Sequence, residues 1–76
     1  MTIKILDATG LLCPLPVLKL RKYLKSMQIG EIVLVLADDP AAAIDIPHFC
    51  TEAGHTLISY QATGNDATEY KVRKEI

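Results

Sequence analysis

The chain has 76 residues, half of them hydrophobic, and a formal net charge of −1. That length bounds it to a single small domain, residues 1–76, which buries only about 60% of the surface of its unfolded chain and leaves little core to spare for a deep substrate pocket. The apolar content excludes a disordered chain, and the near-neutral charge argues against a general nucleic-acid or membrane binder.

In chain order, residues 2–7, TIKILD, are short and rich in β-branched side chains and read as a strand that Gly10 allows to turn. Residues 14–27 read as a helix. Val17, Leu20, Leu24 and Met27 recur at helical spacing as its inner stripe, while Lys19, Lys22 and Lys25 fall mostly on the other side. Pro14 and Pro16 fit only in its first turn, where backbone N–H groups have no intrahelical partner to lose. Residues 31–37, EIVLVLA, form a continuous apolar run suited to a central strand.

Asp39 and Pro40 then mark a helix start, but Pro47 would break that helix from inside. The spacing therefore predicts a short turn over 40–44, a kink, and a main helix over 46–53 with Asp45 as a fresh N-cap. Ile46, Phe49, Cys50 and Ala53 would be its buried stripe, and Gly54 its end. Residues 55–62 and 68–75 read as strands joined by TGND in a hairpin. The order is βαβαββ, and two helices on one face of a four-stranded mixed sheet is the simplest way to bury both stripes.

Cys13 is the chemical candidate. It falls at the expected N-cap of the first helix, where the partial positive charge of the helix end favours a thiolate and the Leu15 N–H is the main donor within reach. The bland alternative is a small buried hydrophobe, but the position lies off the apolar stripe. Cys50 lies on a stripe and is expected to be buried. A Cys13–Cys50 disulfide stays open at this point, since it depends on their separation in space.

There is no Cys-x-x-Cys pair and no local histidine or asparagine signature of a cysteine hydrolase. His48 and His55 read as surface or helix-end residues, and no zinc spacing is present, so no metal is expected. Asp38, Asp39 and Asp45 read as caps. Of the eight basic residues, Lys19, Arg21, Lys22 and Lys25 lie close together; they read as a solvated helix face or, more sharply, as a docking surface for an acidic partner. A lone nucleophile without base or metal suits a group carrier, and persulfide exchange asks only for a thiolate and a partner. With two cysteines, no apolar leader and no stretch of membrane-spanning length, the chain is expected in the cytoplasm with reduced thiols.

DATGLLCPLPVLKLRKYL followed by GEIVLVLADDPAAAIDIPHFC resembles the TusA-like (SirA-like) sulfur-carrier family over nearly the whole chain. The Cys-Pro-x-Pro hallmark is Cys13, Pro14, Leu15 and Pro16. Asp38, Asp39 and Pro40, then Asp45, Ile46, Pro47, Phe49 and Cys50, match two further motifs in order. The resemblance implies an α/β two-layer sandwich. It also implies a sulfurtransferase in which Cys13 accepts a persulfide sulfur from a cysteine desulfurase and relays it to an acceptor protein, toward 2-thiouridine in tRNA or another sulfur route. Pyridoxal phosphate would belong to the donor, and this chain needs no cofactor of its own. Where leading members of the family read Arg-Cys-Pro-Glu-Pro, this chain has Leu12 and Leu15, so the surface expected to meet partners has lost its charges. Two other readings are a non-catalytic regulatory or partner-binding module of the same fold, and an RNA-binding domain, against which the net charge weighs.

Overall fold

The computed structural model describes residues 3–76; residue 2, placed in the first strand by the sequence, lies outside them. The elements are β1 (Ile3–Asp7), α1 (Leu15–Lys25), β2 (Ile32–Ala37), α2 (Ala42–Ala53), β3 (Thr56–Ala62) and β4 (Thr68–Arg73). They build one four-stranded sheet in the order β1-β2-β4-β3. β1 runs parallel to β2, while β4 is antiparallel to both β2 and β3, so the sheet is mixed as the element order predicts. The third strand carries an irregularity: Leu57 pairs with Val72 and Ser59 with Lys71, which leaves Ile58 as an extra residue in a bulge.

Both helices bury their stripes against the same sheet. α1 contributes Pro16, Leu20 and Leu24, with Met27 just beyond its end; α2 contributes Ala42, Ile46 and Cys50. The sheet answers with Leu6, Val33, Val35, Tyr70 and Val72. Leu20 and Ile46 have no exposed surface, and complete burial of such a side chain stabilises by about 1.5–3 kcal/mol. β2 sits inside the sheet, so its outer-face residues Ile32, Leu34 and Leu36 are half-buried while Ile3 and Ile5, on edge strand β1, are exposed.

Two helix boundaries differ from the sequence reading. α1 begins at Leu15 with Pro14 as its N-cap, so the cysteine stands one residue outside the cap position. α2 is one continuous helix from Ala42 to Ala53, with Pro47 inside it and Ala41 as its N-cap. The predicted turn, kink and restart at Asp45 do not occur. Ala42, Ile46 and Cys50 explain why. They are spaced four apart and all buried, so a break at Pro47 would take this ridge off the core. The hydrogen bond that Pro47 forfeits leaves the Ala43 carbonyl without its helical partner, and Ala43 is exposed, where water can serve it. α2 stops at Gly54, whose φ of 83° is the left-handed conformation that lets its N–H and that of His55 both return to the Cys50 carbonyl.

The fold places two loops side by side. β1 and β2 are parallel neighbours, so the segment leaving β1 toward α1 and the segment leaving β2 toward α2 emerge from the same edge of the sheet. The first carries Cys13; the second carries Asp38 and Asp39.

Candidate functional site

The loop that bears Cys13 is held by carboxylates from across the fold. After β1, the Ala8 N–H donates to the Leu36 carbonyl at 2.7 Å. Gly10, turned with φ 79°, donates its N–H to the Asp38 carboxylate at 2.9 and 3.1 Å. The Cys13 N–H donates to Asp39 Oδ2 at 2.5 Å, and Asp39 Oδ1 accepts the Ala41 N–H at 3.1 Å. Asp39 thus closes the opening turn of α2 and anchors the cysteine loop at once. Charge-assisted hydrogen bonds of this kind are about twice as strong as neutral ones.

The cysteine side chain is exposed and meets a third carboxylate. Its S–H donates to Asp45 Oδ2 at 2.8 Å. Asp45 therefore does not cap α2, as its sequence context predicts; from the first turn of the continuous helix it reaches Cys13. The hydrogen bond to Asp45 is the largest cause holding the thiol above its ordinary pKa, followed by desolvation and by the negative charges of Asp45 and Asp39. This corrects the expected low-pKa thiolate. The helix-end donor expected for the sulfur is also taken, because the Leu15 N–H bonds to the Leu12 carbonyl at 2.8 Å. The Cys13–Pro14 peptide bond is cis.

Cys50 has the opposite surroundings. It is 2% exposed, and burial pushes its thiol up to about 11, so it stays a neutral apolar group. Both cysteines are free.

The motif residues divide likewise. Pro16 is fully buried and roots α1 in the core, whereas Pro14 and Leu15 are exposed beside the thiol. Leu12 and Leu15 are 70% and 48% exposed. The basic residues of α1 do not gather at the sulfur. Lys19 Nζ donates to the Asp7 carbonyl at 2.6 Å, and Lys22 and Lys25 occupy the last turn, where they complement the negative end of the helix. The cation that shares a groove with Cys13 is Arg21. This groove, of about 360 Å³, runs between α1 and α2 and is lined by Pro14, Val17 and Arg21 on one side and by Asp45, His48, Phe49 and Glu52 on the other. Those α2 residues follow one another at three- and four-residue spacing, the signal from which a shared helix face could have been read. The capping assignment of Asp45 and the inner-stripe assignment of Phe49 hid it.

A family model described as "Sulfurtransferase TusA" matches residues 4–74. The chain belongs to the TusA sulfurtransferase family. Its fold is also that of a crystal structure of a SirA-like protein from Desulfitobacterium hafniense. The two align with a TM-score of 0.82 and 25% sequence identity, over 99% of this chain and 100% of the other. TusA membership carries a general role in sulfur transfer, and Cys13 with its two prolines stands at the start of α1 where the family motif was read. Among the described residues, no helix is long and apolar enough to cross a membrane.

Proposed function

We propose that this protein is a cytoplasmic sulfur carrier that takes a sulfane sulfur onto Cys13 as a persulfide from a cysteine desulfurase and relays it to an acceptor protein. The observation that carries the reading is the contrast between the two thiols. Cys13 is exposed on a loop pinned by Asp38 and Asp39 and opens into a groove, whereas Cys50 is sealed in the core. A carrier needs one accessible sulfur held in a fixed place and a surface that a second protein can reach. Leu12 and Leu15 supply an apolar rim for that contact, and apolar contact at a protein interface excludes water from the reacting sulfurs. The donor brings its own pyridoxal phosphate; this chain contributes a nucleophile. Formation of 2-thiouridine in tRNA is the relay endpoint to assay first, with the nucleic acid met by a later protein in the chain rather than by this one.

Incubation with a cysteine desulfurase, its pyridoxal phosphate and cysteine should add the mass of one sulfur atom to the intact chain, and dithiothreitol should remove it. A chain that emerges with unchanged mass while the desulfurase is demonstrably turning over removes this reading.

A further inference from the structure

Cys13 is not a free-standing thiol. Its S–H donates to Asp45 Oδ2 at 2.8 Å, a contact between the loop before α1 and the first turn of α2. The groove that opens from this sulfur adds Glu52 and His48 from α2, 3.8 Å apart, and Arg21 from α1. Asp39, in the β2–α2 loop, stands behind the sulfur on the Cys13 N–H. The titratable groups that line the thiol's groove or hold its loop are therefore two aspartates, one glutamate, one histidine and one arginine. Carboxylates are in the majority, and Asp45 is the one hydrogen-bonded to the sulfur among the described residues.

We propose that Asp45 is the specificity-determining residue of sulfur transfer at Cys13: its carboxylate ties up the S–H in the free protein, and a donor that carries a basic side chain into the α1–α2 groove takes that carboxylate and releases the sulfur to attack. The inference rests on the carrier reading above. A thiolate is the nucleophile in sulfur exchange, and a carboxylate at the S–H both stabilises the neutral thiol and repels its anion. A lysine or arginine from the donor reverses both effects by pairing with Asp45. Charge complementarity points the same way, since Asp45 and Glu52 line one wall of the groove against a single arginine, Arg21, on the other.

The step balances without an oxidant. Cys13 gives up its proton, and Sγ attacks the outer sulfur of the donor persulfide R–S–SH. The new S–S bond forms as the donor's S–S bond breaks. The electron pair stays on the donor sulfur, which takes up a proton and leaves as R–SH. One thiol and one persulfide enter; one persulfide and one thiol leave.

The native protein can test this directly, because Cys50 is buried and a single site reports. Two methanethiosulfonate reagents with the same leaving group, one bearing a trimethylammonium head and one a sulfonate, measure the charge sense of the site. Cys13 should prefer the cationic reagent by at least about threefold more than N-acetylcysteine amide does, a half-decade in relative rate. Asp45→Asn should reduce that preference toward the reference and move the midpoint of the iodoacetamide alkylation profile to lower pH. No excess preference in the native protein overturns the inference, whether or not the variant folds. An unchanged preference and midpoint in a folded Asp45→Asn protein overturns it as well. Sulfur loading is the separate readout: a native protein that shows the charge preference but takes no sulfur from a desulfurase loses the carrier reading, whereas one that loads sulfur without the preference loses only the role of Asp45.

Discussion

Two residues of one type have opposite fates here, and their neighbours decide it. Cys50 lies within the apolar ridge of α2, and Cys13 lies outside every stripe, at the mouth of a groove. A brief treatment of the native protein with a thiol reagent should therefore label Cys13 alone, and peptide mapping that finds Cys50 labelled equally contradicts the assignment. The aspartates divide in the same manner. Asp39 accepts two backbone N–H groups from different segments, while Asp45, among the described residues, accepts only the thiol. Hydrogen bonds to a charged group contribute about 1.5–3 kcal/mol each to stability. Asp39→Ala, which removes two of them, should thus lower the free energy of unfolding by about 3 kcal/mol or more in a denaturant melt, and Asp45→Ala by clearly less. Equal losses would restore Asp45 as a cap. The carboxylate–thiol contact was not legible in the sequence, because 32 residues separate its partners and each had a sufficient local role. Asp45 looked like a cap before a proline, and Cys13 looked like a cap before a helix.

At the scale of elements, every strand and the first helix could be read from periodicity and turn residues, since β-branched runs, an apolar stripe and glycine stops all agree. The second helix could not. Local chemistry says that Pro47 must open a helix, and the buried ridge of Ala42, Ile46 and Cys50 overrules it. Tertiary packing keeps the helix continuous at a local cost. An interior proline costs about 3 kcal/mol relative to alanine in a free helix, and a lined helix recovers part of that by adjusting around it. Pro47→Ala should then raise stability by about 1 kcal/mol or more, and a fall in the melting temperature would show that the packing of Pro47, which shares a cavity with Tyr60 and Tyr70, matters more than its helix cost.

The end of α2 also carries a pH response. The Glu75 N–H donates to His55 Nδ1 at 3.1 Å, which requires the neutral ring, and burial followed by the charge of Lys74 holds the His55 pKa below its ordinary 6.5. Glu75 is lowered too, through hydrogen bonds from Thr56 and Arg73. A depressed folded-state pKa gives stability that is complete above the unfolded value and lost as pH falls through the folded one. Both groups therefore act in the same direction. The histidine contribution should be present above 6.5 and disappear on acidification below it, with the Glu75 contribution following at lower pH. His55→Gln should flatten the first part of the pH–stability curve; an equally steep fall in that variant assigns the loss to other groups.

On the whole molecule, the core and the exposed thiol lie apart. One face of the sheet and the inner sides of both helices form the core, and the end of the molecule where β1 and β2 release their chains carries the thiol. Leu12 and Leu15 contribute nothing to that core, being 70% and 48% exposed. Replacing either with aspartate should change stability by no more than about 0.5 kcal/mol, the usual range for a surface site, while slowing sulfur transfer from a donor protein. An unchanged transfer rate would move the partner surface elsewhere. The charged face of α1 has local roles that its composition does not reveal. Lys19 donates to the end of β1, and Lys22 and Lys25 lie in the last turn of α1, where they complement the negative helix end.

The central claim is that one exposed cysteine holds the sulfur, and the mass of three proteins after incubation with a cysteine desulfurase, pyridoxal phosphate and cysteine tests it most directly. The native chain and Cys50→Ala should each gain one sulfur atom. Cys13→Ser, which alters an exposed side chain and leaves the core intact, should fold normally and gain none. A folded Cys13→Ser protein that still acquires the mass of a sulfur atom would contradict the account.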